Sequence, residues 1–300
     1  MNGNGFIKSG DIQEITVLYF LKMGSSFNMK KVLLFSPNGY VGRFIKERLT
    51  KEKDIQLYEM TRDSAFESDQ MDYDILIYSA SVTSARRETA DKYVQDNTVA
   101  AASMIDFCIK HHVKKIIYLS SDEIYGTLNT DRVFSNLTVM VNPNTYAVTK
   151  YLAEKIIIES GIPYFILRMP GIVGREWGKS FIYSLMDKIK NNSPIELYYL
   201  DKDFNNILDI DDLTEFITVL CYNWTNNNSD ILLLGNTEYV KLTEIISHIK
   251  ELYQSTSVIH VVDTECKRYF TLDVTKAMRY GYHSKKILSI IDDLYQIQKG

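Results

Sequence analysis

The chain has 300 residues, 45% of them hydrophobic and 24% charged, with 34 basic against 38 acidic side chains and a formal net charge of −4. That composition describes a soluble globular protein with ample core, one large domain or two modest ones, and without a dense basic stripe it argues against general nucleic-acid binding. Cys108, Cys221 and Cys266 lie far apart with no CxxC or Cys/His cluster, which speaks against a disulfide framework or a zinc site and for reduced thiols in a cytoplasmic protein. No apolar run is long enough to cross a bilayer, so no membrane partner is expected.

Residues 1–28 read as a loose or non-native extension. The stretch ITVLYFLKMG is apolar but short, Asp11 and Glu14 precede it, and it lacks the basic start and small-residue cleavage site of a signal peptide. MKKVLLF, from Met29, looks like a natural beginning; the alternative is a genuine extra surface helix or strand. From Lys31 strand and helix alternate. KVLLF is a continuous apolar run, as in a strand buried on both faces, and GYVGRFIKERLTKE has helical periodicity. IQLYEM is a second strand, DILIYSAS a third and TVAAASMIDFCIKHH the following helix; KKIIYLSS, the helix NTYAVTKYLAEKIIIES and the strand PYFILRM continue the rhythm. This predicts an α/β fold, a Rossmann-type doubly wound parallel sheet over 29–170, with ligands beyond the carboxyl ends of the strands. Over 171–300 the rhythm loosens into amphipathic helices, KSFIYSLMDKIKNN and VKLTEIISHIKELYQ, with short strands such as IELYYL and DILLLG between them, which predicts mostly a smaller substrate-binding cap.

KKVLLFSPNGYVGRFI is strand, tight loop and helix. Gly39 and Gly42 are spaced for close approach of the backbone to a pyrophosphate and of the helix to the strand, and the helix N-terminus presents free N–H groups to the phosphates. The loop thus offers Ser36, Asn38, Gly39, Tyr40, Val41 and Gly42 to a dinucleotide, with Ser36 where a first glycine is expected; the plain alternative is an ordinary turn. The second strand ends EMTRDS. An NAD site usually has an acid there for the ribose hydroxyls, but Thr61 and Arg62 hold the place and Glu59 falls inside the strand. Arg62, with Arg43, is suited to a 2′-phosphate, which favours NADP over NAD; the competing reading makes Arg62 a solvated loop charge.

Tyr146 and Lys150, four apart in NTYAVTKYLAEK, share one helix face, and an ammonium near a phenol lowers the phenol's pKa toward that of a general acid/base. In a chain with 21 tyrosines the spacing recurs at Tyr151/Lys155, Tyr198/Lys202 and Tyr282/Lys286, so context selects Tyr146, which opens its helix just after NPNT.

These residues carry a family resemblance from Lys31 to about Leu294. FSPNGYVG resembles TGxxGxxG, DILIYSAS resembles DVVIHLAA, YLSSDEIYG the serine/threonine strand end, YAVTK the YxxxK motif, ILRMPGIVG the RPxNVYG segment, NNILDIDDL resembles RDWVHVDDL, and TLDVTKAMRYGY resembles LDxSKAxxLGW. The chain is similar to the extended short-chain dehydrogenase/reductases, the nucleotide-sugar epimerases, dehydratases and 4-keto reductases. The resemblance implies that Tyr146 exchanges a proton with the sugar oxygen, Lys150 holds the nicotinamide ribose, and Ser121 hydrogen-bonds the reacting oxygen. It places Ser79, Ala80, Ser81, Asn97 and Met169 with the loop residues beside the cofactor. Thr83, Gly171, Asn205 and Arg268 join Ser121 and Tyr146 on the side of a nucleotide-diphosphate sugar.

SSDEIYG looks most like the STDEVYG of nucleotide-sugar 4,6-dehydratases, where the aspartate protonates the leaving hydroxyl and the glutamate removes the proton beside the keto group; Asp122 and Glu123 stand at those positions. The short stretch between Arg62 and Asp74 trims the usual third strand, Asn205 replaces the family's diphosphate arginine and Gly171 its substrate asparagine, with Arg268 as the compensating cation or a surface charge. A short, trimmed chain resembles the 4-keto-6-deoxyhexose reductases more. Reduction is therefore the leading expectation, then 4-epimerisation, then 4,6-dehydration; a non-catalytic dinucleotide-binding sensor is the reading of another class. The resemblance also permits a homodimer through TVAAASMIDFCIKHH and YAVTKYLAEKIIIE.

Overall fold

The computed structural model describes residues 29–61, 72–133, 139–176, 178, 180–262 and 269–299. Arg62, Cys266, Arg268 and the 1–28 segment lie outside the described residues. Through the first half the elements run β1 (Lys30–Phe35), α1 (Tyr40–Leu49), β2 (Ile55–Met60), β3 (Ile75–Tyr78), α2, β4 (Ile116–Ser121), β5 (Asn129–Val133), α3 (Thr145–Glu159) and β6 (Tyr164–Met169). The helix α2 comprises Ala90–Tyr93, a π-helical turn Val94–Val99 and Ala100–Lys110. The second half runs β7 (Gly171–Val173), α4 (Phe181–Lys190), β8 (Ile195–Leu197), β9 (Asp203–Phe204), β10 (Ile207–Asp209), α5 (Ile210–Asn223) and β11 (Asp230–Leu233). It closes with β12 (Val240–Lys241), α6 (Leu242–Tyr253), β13 (Ile259–Val261), β14 (Tyr269–Leu272), α7 (Thr275–Arg279) and α8 (Ile287–Lys299).

Six strands form one parallel sheet in the order β11-β6-β4-β3-β1-β2. The continuous apolar runs are explained by burial on both faces. Along β1, Val32 and Leu34 pack under α1 and α5, while Leu33 and Phe35 pack under α2 and α3. The same two-residue alternation divides Ile75 and Ile77 from Leu76 and Tyr78 on β3. β2 is the edge strand and its exposure fits that place, with Glu59 in the strand as expected and paired with Lys46 at 2.9 Å. The chain leaves β1 outward to β2 and returns to β3 on the other side, so the strand order reverses between β1 and β3 and opens a crevice at their carboxyl ends.

A third apolar cluster joins α4, α6 and α8 with β8 and forms the smaller lobe. DILLLG, expected among the short strands of the cap, belongs instead to the main sheet, where Asp230–Leu233 pairs with β6, and α5 covers the same face as α1. A four-residue apolar run has no periodicity that tells a cap strand from a sheet strand; pairing with β6 decides it. The thiols of Cys108 and Cys221 are buried and burial pushes each up to about 12. Among the described residues no helix is long and apolar enough to cross a membrane.

Candidate active site

β4 and α3 bring the candidate reactive groups together. At the end of β4 successive side chains leave opposite faces of the sheet: Ser120 donates to Glu154 Oε1 at 2.5 Å, and Ser121 Oγ accepts from the amide of Glu123 at 3.1 Å. α3 starts at Asn144, whose Oδ1 accepts from the Ala147 amide at 2.8 Å and caps the helix. Tyr146 therefore sits in the first turn, buried. Lys150, one turn on, is fully buried; its Nζ donates to the Leu119 carbonyl at 2.7 Å and lies 4.1 Å from the centre of the Tyr118 ring.

The electrostatics differ from the expected tyrosine–lysine pairing. Burial, then the charge of Glu123, push the Tyr146 phenol up to about 12, with the Ser121 and Ser81 hydrogen bonds opposing and Asp122 adding to the rise. Burial pulls the Lys150 ammonium down to about 7, against the pull of the Glu154 carboxylate. The lysine is aimed at a strand carbonyl and an aromatic face, and burial with the charges of Glu123 and Asp122 raises the phenol instead of lowering it.

Asp122 and Glu123 lie in a short 3₁₀ turn, Asp122–Tyr125, closed by Gly126. Ser84 Oγ donates to Glu123 Oε1 at 2.5 Å and Asn144 Nδ2 donates to Oε2 at 3.2 Å, so each oxygen of the carboxylate is held. Both acids line a cavity of about 480 Å³ whose walls include Gly171, Phe181, Tyr199, Lys202, Asn206 and Tyr269. Thr83 is exposed at the start of the turn that carries Ser84, and its carbonyl accepts from the Tyr93 hydroxyl at 3.3 Å. Asn205, expected on the substrate side, does not line the cavity. It is fully buried, its Nδ2 donates to the carbonyls of Asn236 (3.1 Å) and Leu272 (2.8 Å), and its Oδ1 accepts from the Leu272 amide at 2.9 Å. The amide ties three segments of backbone together, and the neighbouring Asn206 faces the cavity instead.

A second cavity, of about 340 Å³, opens at the carboxyl ends of β1 and β3 and is lined by Ser36, Asn38, Thr61, Ala80 and Ser81. Ser36 adopts φ +69°, a left-handed conformation that explains why a glycine is expected there. A Cβ on Gly42 would stand 2.1 Å from the Ser36 carbonyl oxygen, so only glycine lets α1 approach the loop. Gly39 precedes α1 without any side chain bonded to the first amides, which leaves them to a ligand; Tyr40 and Val41 form the first turn. This cradle fits the pyrophosphate of a dinucleotide. Ser79 Oγ donates to the Phe35 carbonyl at 2.7 Å and ties the end of β3 to that of β1. Asn97, in the π-helical turn, accepts from Ser81 Oγ (3.3 Å) and the Val82 amide (2.9 Å), and donates to the Val82 carbonyl (3.1 Å) and Thr149 (3.3 Å). Its amide is thus committed to the loop and to α3. Met169 ends β6 beside Ser121 in register. Arg43, considered for a 2′-phosphate, is ion-paired with Glu176 instead.

Ser84, Asn144 and the cavity residues Arg86, Lys92 and Asp96 are absent from the sequence-based set. Asn144 has a readable signal, an asparagine just before the first helical residue. Ser84 has none, because its meeting with Glu123 joins chain segments 39 residues apart.

The model of the "NAD dependent epimerase/dehydratase family" matches residues 32–235. A dTDP-D-glucose 4,6-dehydratase of Dictyostelium discoideum is 25% identical over 175 residues, 53% of this chain and 40% of that protein. A UDP-glucose 4-epimerase of Caenorhabditis elegans is 29% identical over 92 residues, 30% of this chain and 26% of that protein. The matched stretch thus spans less than half the length of these relatives. The structure of a UDP-glucuronic acid 4-epimerase from Bacillus cereus, in complex with UDP-glucuronic acid and NAD, superposes with a TM-score of 0.74 at 17% identity, covering 90% of this chain and 99% of that one. At that identity the likeness concerns the fold.

Proposed function

The chain belongs to the NAD dependent epimerase/dehydratase family, and we propose that within it the protein is an NAD(P)-dependent enzyme that reduces a nucleotide-linked 4-keto-(6-deoxy)hexose. The observation that carries this reading is the placement of the Tyr146 phenol, buried in the first turn of α3 against the end of β4 that carries Ser121, where it can give a proton to a carbonyl oxygen. Ser121 hydrogen-bonds that oxygen and Tyr146 protonates it. A bound dinucleotide supplies the hydride at the adjacent carbon. Lys150, one turn past Tyr146 on the same helix, holds the nicotinamide ribose. The loop from Ser36 to Gly42 holds the pyrophosphate, Asn97 and Ser79 brace the strand ends around it, and Gly171, Asn206 and Lys202 face the sugar nucleotide. NADP is favoured over NAD by Arg62 after β2 and by Arg86 in the cavity wall. Residues 29–170 together with α5 and β11 form the dinucleotide domain and the rest of 171–300 mostly the cap, in a cytoplasmic homodimer.

Two other reactions have specific support. A 4-epimerase is suggested by the Caenorhabditis elegans relative. A 4,6-dehydratase is suggested by Asp122 and Glu123 in the cavity wall and by the Dictyostelium relative. Cofactor fate separates them. Purified protein is mixed with NADPH and a nucleotide-linked 4-keto-6-deoxyhexose. One NADPH oxidised per sugar reduced supports the reductase. A nucleotide-linked hexose that carries a C4 hydroxyl, inverted at that carbon without net cofactor oxidation, replaces it with the epimerase. Water lost from a nucleotide-linked hexose, abolished by Glu123→Gln with cofactor binding intact, replaces it with the dehydratase.

A further inference from the structure

Beneath the catalytic face lies a fully buried charged cluster that none of the proposed chemical steps uses. Arg168, on β6, is 1% exposed, and Glu154, on α3 one turn past Lys150, is 0% exposed. The guanidinium makes a forked pair with the carboxylate, Nε to Oε1 at 3.1 Å and Nη2 to Oε2 at 2.6 Å, and its Nη1 donates to the Tyr125 hydroxyl at 3.0 Å. Ser120, on β4, donates to the same Oε1. Tyr125 closes the turn that begins with Asp122 and Glu123, and Ser120 and Arg168 are register partners one step below Ser121 and Met169.

A buried ion pair is weak support for stability, because apolar residues of similar volume often serve as well or better. What this one does that apolar residues cannot is fix directions. The fork of an arginine holds a planar carboxylate in one orientation and leaves a further N–H for a third group. Here the carboxylate belongs to the helix of Tyr146 and Lys150, and the third group to the turn of Asp122 and Glu123. We propose that Arg168 is a positioning residue that sets the catalytic helix and the acidic turn at a fixed distance from one another, through Glu154 and Tyr125. This rests on the reading above that the face of Ser121, Tyr146 and Lys150 is the reacting site.

The probe variants are Tyr125→Phe, which removes only the hydroxyl, and Arg168→Lys, which keeps the charge and loses the fork. Amide hydrogen exchange is followed in the NADPH-bound protein. The expected result is exchange about tenfold faster at Asp122–Tyr125 in both variants, with β1 unchanged. Turnover of the 4-keto sugar nucleotide falls about 10- to 100-fold with KM within twofold, since a small misplacement of reacting groups is enough. The double variant falls no further than Arg168→Lys alone, because both changes cut one connection. If either folded variant leaves exchange in the turn unchanged, the positioning role is overturned. If Arg168→Lys does not fold, Tyr125→Phe decides by the same readouts. If exchange responds but the wild-type protein does not reduce the sugar, the reaction reading fails and the positioning role stands.

Discussion

Tyr146 and Lys150 are four residues apart, but their protonation follows their surroundings rather than their spacing. The phenol needs a proton to give, and Tyr146→Phe should cut turnover by a factor on the order of 10²–10⁴ while leaving dinucleotide affinity within about twofold. Lys150 makes a pH prediction of its own. Its folded pKa of about 7 lies below the ordinary 10.5, so between these values the unfolded chain binds a proton that the native chain does not. Stability from this group therefore rises as pH rises from about 7 to about 10, by roughly 3–5 kcal/mol in all. Denaturant unfolding at several pH values should show that rise in the wild-type protein relative to Lys150→Met. Asn205 gives the opposite kind of test. Losing its three hydrogen bonds should destabilise Asn205→Ala by about 2–4 kcal/mol, since buried groups are left unpaired. A raised KM with unchanged melting temperature would return Asn205 to the substrate side.

Among the elements, the β1–α1 loop was legible because its requirement is steric and local. A chain that turns this tightly between a buried strand and a helix needs glycine where the helix passes the loop, and Gly42→Ala should weaken dinucleotide binding at least about tenfold, equivalent to 1.4 kcal/mol. Titration of NADPH fluorescence measures it, and wild-type affinity would mean that the loop yields. The π-helical turn in α2 was not legible. VQDNTV has no sequence mark that distinguishes an extra residue per turn from an ordinary helix, and the turn is identified only where Asn97 meets Val82 and Thr149. The start of α3 lies between these cases. Its asparagine cap follows from residue type, whereas the second use of the same amide, toward Glu123, depends on where the β4 turn lies.

For the whole molecule, the alternation of strands and helices is enough to imply the parallel sheet, and the sheet implies the crevice between β1 and β3. The dimer is a prediction at this scale. Val99 and Ile109 on α2 and Val148 and Leu152 on α3 are each 43–57% exposed, an apolar surface on the two helices that the sequence suggested for a four-helix contact. Val148→Asp combined with Leu152→Asp should turn a sedimenting dimer into a monomer; a wild-type monomer would remove the contact. By itself the sequence determined the fold class, because that rests on the alternation of strand and helix periods; the phosphate loop it offered from a local motif, and the Ser121, Tyr146, Lys150 set from a family resemblance. Only the tertiary structure decided that β11 joins the main sheet, that Asn205 is internal while Asn206 faces the cavity, and that Ser84 and Asn144 meet Glu123 while Arg168 meets Glu154 and Tyr125. Those facts depend on segments distant in sequence meeting in a packed interior, where burial and the nearest charges, rather than residue type, set what a side chain can do.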